Sequence, residues 1–274
     1  MTSRPAWIVA AVCLLAMMST IGVSLPYPIL APIFVAGSVD RFTHFAGLDP
    51  QVLMGVALAA NPLGILVGSL FIGPLSDRHG RRVVLMATIA ASLVGYLLTA
   101  AALAARAYPL FVLMRFVTGL TEGNIAVARA LLADLDTGAG DLSSHPGQAS
   151  TAAAPMSGSF DRTRSFAWLN ACAFMGWLLG PLAGGLTLPL GESVPFLLAA
   201  AIMVPCLAVL ARGLPRDVPP RRDALRPLQA LREQNLVALL RSDPILARVA
   251  GAQLAYTLGL NALYEYAPLW MMDN

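Results

Sequence analysis

Seven apolar stretches, at residues 6–35, 52–75, 83–105, 110–133, 166–188, 195–211 and 245–271, constrain this chain more than any other feature. A helix needs about 20 predominantly apolar residues to cross the hydrocarbon layer of a bilayer, and every backbone amide there must be satisfied within the segment. The stretches meet or approach that length, so each predicts a transmembrane helix. The chain is 57% hydrophobic and 12% charged, against about 25% charged in a soluble domain. That balance excludes an ordinary water-soluble fold. The first stretch follows Arg4 as the apolar core of a signal peptide would, but its length and Pro26, Pro28 and Pro32 predict a retained helix. Neighbouring helices in a bundle can satisfy the carbonyls that prolines free.

The 18 basic residues are all arginine, and the net charge is +3. Where they lie matters more than their sum. Fourteen fall in one set of loops: Arg4, Arg78, Arg81, Arg82, Arg162, Arg164 and the run from Arg212 to Arg248. The opposite set holds only Arg41 and Arg106, and the remaining two, Arg115 and Arg129, sit inside a predicted helix. Arginines mark the cytoplasmic side of a membrane protein, so the amino terminus and residues 212–243 are expected there. This topological use of the arginines gives no reason to expect a nucleic-acid partner. Cys13, Cys172 and Cys206 each lie in an apolar run, where a thiol behaves as a small buried hydrophobe. Residues 137–159, rich in Gly, Ser, Ala and Pro, read as a flexible loop. In the later loop, Leu225, Leu228, Leu231, Leu236, Leu239 and Leu240 recur at near-helical spacing among arginines, which predicts an amphipathic helix.

Between the second and third predicted helices, on the arginine-rich side, stands Gly73-Pro74-Leu75-Ser76-Asp77-Arg78-His79-Gly80-Arg81-Arg82. Its glycines permit a tight reversal and close helix approach, and Asp77 can form charged hydrogen bonds with the arginines. Topology marking alone needs only the basic residues. The decapeptide resembles the cytoplasmic signature between helices two and three of the major facilitator superfamily. That resemblance implies a gating loop made by Gly73, Asp77, Arg78, Gly80, Arg81 and Arg82. Arg115-Phe116-Val117-Thr118-Gly119 is similar to the family's fourth-helix motif, which implies a part for Arg115 in proton coupling. Gly176-Trp177-Leu178-Leu179-Gly180-Pro181-Leu182-Ala183-Gly184-Gly185 resembles the fifth-helix antiporter motif, implying a packing role for Gly176, Gly180, Pro181, Gly184 and Gly185. Small residues four apart favour close helix contact in any membrane protein. The resemblance in all three motifs points to the drug:proton antiporter-like branch. Asp134, Arg162 and Arg164 stand where the family has partners for the Asp77 loop.

Arg115, Glu122 and Arg129 are seven residues apart, which predicts one helix face to within about 20°. Intramembrane charges are costly and usually face a partner or a water-filled cavity. The expected stripe could bind an anionic group, pair internally, or let Glu122 exchange a proton; a purely structural charge cluster is the alternative. Glu122 is not part of the family motif, so its candidacy rests on physics: burial raises a carboxyl's pKa and a nearby arginine lowers it. Tyr27, between two prolines, and Asn61, beside Pro62, are the next candidates for lining a cavity, although an intramembrane amide more often bonds a neighbouring helix. Asn124, Asn170, Asn261 and Glu265 are further polar residues within the stretches.

The expected architecture is all-α: a six-helix transmembrane bundle over residues 1–211, a cytoplasmic linker over 212–244, and at 245–274 the first helix of a second bundle. This is half of a major facilitator fold. The resemblance implies a secondary transporter in the bacterial inner membrane that exports a small molecule by alternating access coupled to protons, needing no cofactor. A second half or another copy of the chain would complete it. The alternative is a non-transporting fragment or assembly partner. An enzyme is not expected: His44, His79 and His145 read as loop residues without ligand spacing, and Ser159 has no base nearby. No Gly-rich stretch ends in Gly-Lys-Ser/Thr and the chain has no lysine, which disfavours an ATP-driven pump.

Overall fold

The computed structural model describes residues 4–35, 39–136, 162–213, 242–249, 251–256 and 259. The regular elements among them are all helical, and six helices are long and apolar enough to cross a membrane. The chain forms two compact units, Met1–Ala224 and Leu225–Asn274.

The first unit carries all six spans. The first runs over Trp7–Val35 and is built from α1 (Arg4–Ser24) and α2 (Tyr27–Val35). The break between them is a proline effect. Pro26 and Pro28 have no N–H to give to Gly22 and Ser24, four residues earlier, and their rings crowd those carbonyls. The second span is α3 (Pro50–His79), whose start is fixed by Pro50 and by Asp49, which accepts the Gln51 N–H at 2.8 Å. Gly80, at φ 91°, ends α3 and opens α4 (Arg81–Ala104), a conformation that a side chain would strain. His79 accordingly falls in the last helical turn, not in a loop. A turn through Arg106, at φ 50°, leads to the fourth span. It is divided at Gly123 and Asn124 into α5 (Tyr108–Glu122) and α6 (Ile125–Asp136). The fifth span is α7 (Arg162–Thr187) with one 3₁₀ turn at Leu188–Leu190, and the sixth is α8 (Val194–Gly213).

Lipid is as apolar as leucine, so helices in a membrane associate through close fit and interhelical hydrogen bonds. Two glycine seams supply the fit. Gly176, Gly180 and Gly184 press α7 onto the first span: a Cβ on Gly180 would lie 2.9 Å from the Ile21 oxygen, and one on Gly184 2.8 Å from that of Leu25. Thr20 Oγ1 strengthens this seam by donating to the Ala173 carbonyl at 2.8 Å. Gly64 and Gly68 of α3 meet Gly119 and Leu120 of α5 in the second seam, where a Cβ on Gly64 would approach the Gly119 Cα to 2.9 Å. By contrast, Gly73 and Gly185 have open space on their Cβ side, so neither takes part in close helix approach.

At the end of the bundle opposite the Gly80 turn, Phe34, Phe42, Tyr108, Phe111 and Phe196 form an aromatic cluster with centroids 5.4–6.2 Å apart. Arg106 lies beside this cap and pairs with Asp40 at 3.4 Å and Glu192 at 2.8 Å. Three connections are thereby tied at one end.

In the second unit, residues 244–249 and 251–256 are helical. The amphipathic leucines, Asn261 and Glu265 lie outside the described residues, as does the 137–159 loop.

Candidate functional site

The charged turn between α3 and α4 combines two unfavourable placements into one favourable contact. Asp77 sits at the negative end of the α3 dipole and Arg81 at the positive end of α4, so each is poorly placed alone. Across Gly80 they pair at 3.1 Å, with Arg81 buried. Arg82 reaches instead to the last turn of α8, donating from Nη2 to the Ala211 carbonyl at 2.6 Å. A cation satisfying the terminal carbonyls of a helix is favourable by both charge and hydrogen bonding. The turn therefore holds the second, third and sixth spans together, while Arg78 and His79 stay exposed. The side chains of Asp134 and Arg162 lie outside the described ones.

A second charged site is buried midway along the fourth span. Arg115 is 1% exposed and Glu122 2%. Glu122 Oε2 accepts from Asn61 Nδ2 of α3 at 2.9 Å, and Oε1 accepts a short hydrogen bond from the Tyr96 hydroxyl of α4. Both carboxyl oxygens are thus held by neutral donors from separate helices. Asn61 also donates to the Arg115 carbonyl at 3.4 Å. Arg115 Nη1 donates to the Gly22 carbonyl at 3.3 Å. That acceptor exists because Pro26, its helical partner, has no N–H. Among the described residues no ion pair joins Arg115 directly to Glu122.

Gly22 also makes room for the Tyr96–Glu122 pair, since a Cβ there would run into the Tyr96 hydroxyl and Glu122 Oε1. Ser19 of α1 donates to the Glu122 backbone carbonyl at 3.0 Å, at the end of α5. The site draws on α1, α3, α4 and α5. Its chemistry is reversible in polarity: the Tyr96 hydroxyl can donate or accept, and Asn61 keeps Oδ1 unpartnered.

The expected Arg–Glu–Arg stripe does not form. The helix is interrupted between Glu122 and Ile125, and Arg129 emerges on an exposed face, where Nη2 donates to Asn170 Oδ1 of α7 at 3.4 Å. Seven-residue spacing predicts one face only while the helix stays continuous. Tyr27 lies past the proline break, half-buried at the start of α2. No cluster of three or more metal-ligating residues occurs among the described residues.

Residues 12–274 match the profile of the Major Facilitator Superfamily. The chain belongs to this superfamily. Its similarity extends to the class C tetracycline resistance protein of Escherichia coli, 30% identical over 187 residues, or 68% of this chain and 39% of that protein. The class B protein of Escherichia coli is 28% identical over 69% of this chain and 39% of its own length. This major facilitator chain therefore spans about two fifths of the curated relatives it matches. Among solved structures, the human organic anion transporter MFSD10 (TETRAN) superposes with TM-score 0.55 at 21% identity, covering 81% of this chain and 50% of that one. A D-xylose-proton symporter superposes with TM-score 0.56 at 18% identity, covering 91% and 56%. These two likenesses establish a major facilitator fold, and with six apolar helices the chain is an integral membrane protein.

Sequence reasoning missed two members of the buried site, Tyr96 and Gly22. A phenol in the middle of an apolar span is a signal in itself, because its hydroxyl needs a partner when buried. Gly22 carried the weaker sign of a glycine four residues before a proline.

Proposed function

We propose that the chain is the proton-handling part of a secondary transporter that moves a small molecule across the bacterial inner membrane by alternating access. The observation that carries this reading is the Glu122 carboxyl, 2% exposed and held by Asn61 and Tyr96 near Arg115. Ionisable groups at that depth usually mark ion or substrate paths. In this reading Glu122 takes and releases the proton, and Arg115, Tyr96 and Asn61 set its surroundings. The Gly73–Arg82 turn controls closure at the cytoplasmic end by making and releasing the Asp77–Arg81 and Arg82–Ala211 contacts. Within the Gly176–Gly185 motif, Gly176, Gly180 and Gly184 keep the fifth span against the first.

The direction is export, and the substrate class is a polar multi-ring molecule of the kind named by the tetracycline resistance relatives. The arginine asymmetry supports a cytoplasmic amino terminus. Residues 1–211 serve as one bundle, 212–244 as a linker and 245–274 as the start of a second bundle.

The test is accumulation of tetracycline in proteoliposomes under an imposed pH gradient, with Glu122→Gln and Arg115→Ala beside the parent chain. Uptake that needs the gradient and both residues supports the reading. Gradient-driven uptake unchanged in Glu122→Gln would remove Glu122 from coupling.

A further inference from the structure

A small cavity lies beside the buried carboxyl, with room for about one water molecule. Its polar lining is Ser19 of α1, Ser92 of α4, Glu122 and Asn124, and the rest is apolar apart from the Cys206 thiol. The hydroxyl hydrogens of this lining are already committed. Ser19 Oγ donates to the Glu122 carbonyl at 3.0 Å. Thr121 Oγ1 donates to the Thr118 carbonyl at 2.7 Å, so in the 2.6 Å contact between Ser92 and Thr121 it is Ser92 that donates. Thr88 Oγ1 donates to Leu85, leaving it to accept from Asn124 Nδ2 at 3.4 Å. Asn124 Oδ1, fully buried, has no partner at all.

The cavity therefore offers mostly acceptors, the lone pairs of two hydroxyls, an amide oxygen and a carboxyl group, beside the weak Cys206 S–H donor and the second Asn124 N–H. Such a lining suits a guest that chiefly donates. Water has two donors, and its protonated form three. An unpaired buried carbonyl oxygen is destabilising, and a water would relieve it. Asn124 follows Glu122 in the direction of the Gly80 end, and Thr88 is seven residues from Arg81 on α4. Tyr96, Ser92 and Thr88, four residues apart on α4, thus carry polar groups from Glu122 toward the arginine-rich turn as far as Thr88.

We propose that this cavity holds a water through which protons reach Glu122 from the arginine-rich end, with Asn124 as the positioning residue. The proposal rests on the reading of Glu122 as the proton site. In the step, the protonated water breaks one O–H bond as a bond forms to a Glu122 oxygen, leaving neutral water and a neutral carboxyl. The next proton arrives from solvent. Asn124 carries no proton; its Oδ1 orients the water. The other titratable or charged groups facing the carboxyl and cavity are Tyr96 from α4, Arg115 from α5 and Cys206 from α8. Among the described residues, α1, α3 and the break between α5 and α6 add the uncharged Ser19, Asn61 and Asn124.

Infrared spectroscopy of the 274-residue chain in liposomes, following carboxyl protonation after a pH jump, tests this. Glu122→Gln first identifies the Glu122 carboxyl band by its loss. Asn124→Leu, of similar volume but without the acceptor, is expected to slow protonation about tenfold, a barrier of about 1.4 kcal/mol, with the band position kept. Ser92→Ala, a smaller change that serves if the leucine variant does not insert, is expected to slow it in the same sense. Parent-like rates in either inserted variant overturn the relay while leaving Glu122 as the proton site. If Glu122→Gln removes no band, the underlying reading fails instead.

Discussion

The Tyr96 hydroxyl of α4 donates to Glu122 Oε1 of α5 across an interface where both side chains are almost wholly buried. Glu122 Oε2 is taken by Asn61 of α3, so the carboxyl is the point at which three helices meet through side chains. Removing either donor leaves a buried carboxyl oxygen with nothing to accept.

Tyr96→Phe keeps the ring and deletes that donor. A buried acceptor left unsatisfied costs about 1–3 kcal/mol. The variant is expected to insert normally, to melt earlier in detergent, and to lose gradient-driven uptake. An unchanged melting temperature would show that the hydroxyl contact carries no stability.

Glycines of this chain should respond to alanine in opposite ways. At Gly22 a Cβ would lie 2.5 Å from Glu122 Oε1 and collide with the Tyr96 hydroxyl, so Gly22→Ala should destabilise by about 1–3 kcal/mol, as overpacking does. Gly73 sits within α3 with open space on its Cβ side. Gly73→Ala should be neutral or gain about 0.5–1 kcal/mol from helix propensity. Paired melting curves decide; a Gly22→Ala protein as stable as its parent contradicts the geometry.

The two intramembrane arginines differ in the same manner. Arg129 is exposed and makes one 3.4 Å bond to Asn170, so Arg129→Ala should shift stability by about 1 kcal/mol or less. Arg115 is 1% exposed. Arg115→Ala strips the buried Gly22 carbonyl of its donor, at a cost of about 1–3 kcal/mol, and empties the space that the side chain fills. Equal losses in the two variants would restore the single-stripe expectation.

Acid should loosen the opposite end of the bundle through Asp40. Burial alone would raise its pKa, but hydrogen bonds from Thr43 and the Phe42 amide, with Arg106 nearby, outweigh it and hold the carboxyl below its ordinary value. A depressed carboxyl stabilises the fold above its unfolded pKa, and that contribution disappears as pH falls through the lower folded value. Melting temperature measured from neutral pH downward should therefore fall more in the parent than in Asp40→Asn. Identical acid profiles would mean that Asp40 contributes nothing to the cap.

Hydropathy is a local property, and by itself it determined the membrane class and the six spans now seen, as the glycines and charges of one decapeptide determined the turn at Gly80. Each follows from residues close together in the chain: an apolar run must cross lipid as a helix, and prolines and glycines mark where it breaks. The three motifs likewise carried the family. Which side chains meet was a different matter. Seven-residue spacing set Arg129 beside Arg115 and Glu122, but the interruption at Gly123 and Asn124 turned it toward Asn170. Tyr96 gave no periodic sign of its place, because its position against Glu122 depends on how α4 is rotated and on Gly22 leaving room in α1. Azimuth and close approach between helices come from packing surfaces far apart in sequence, so only the tertiary structure decided how the buried carboxyl is surrounded.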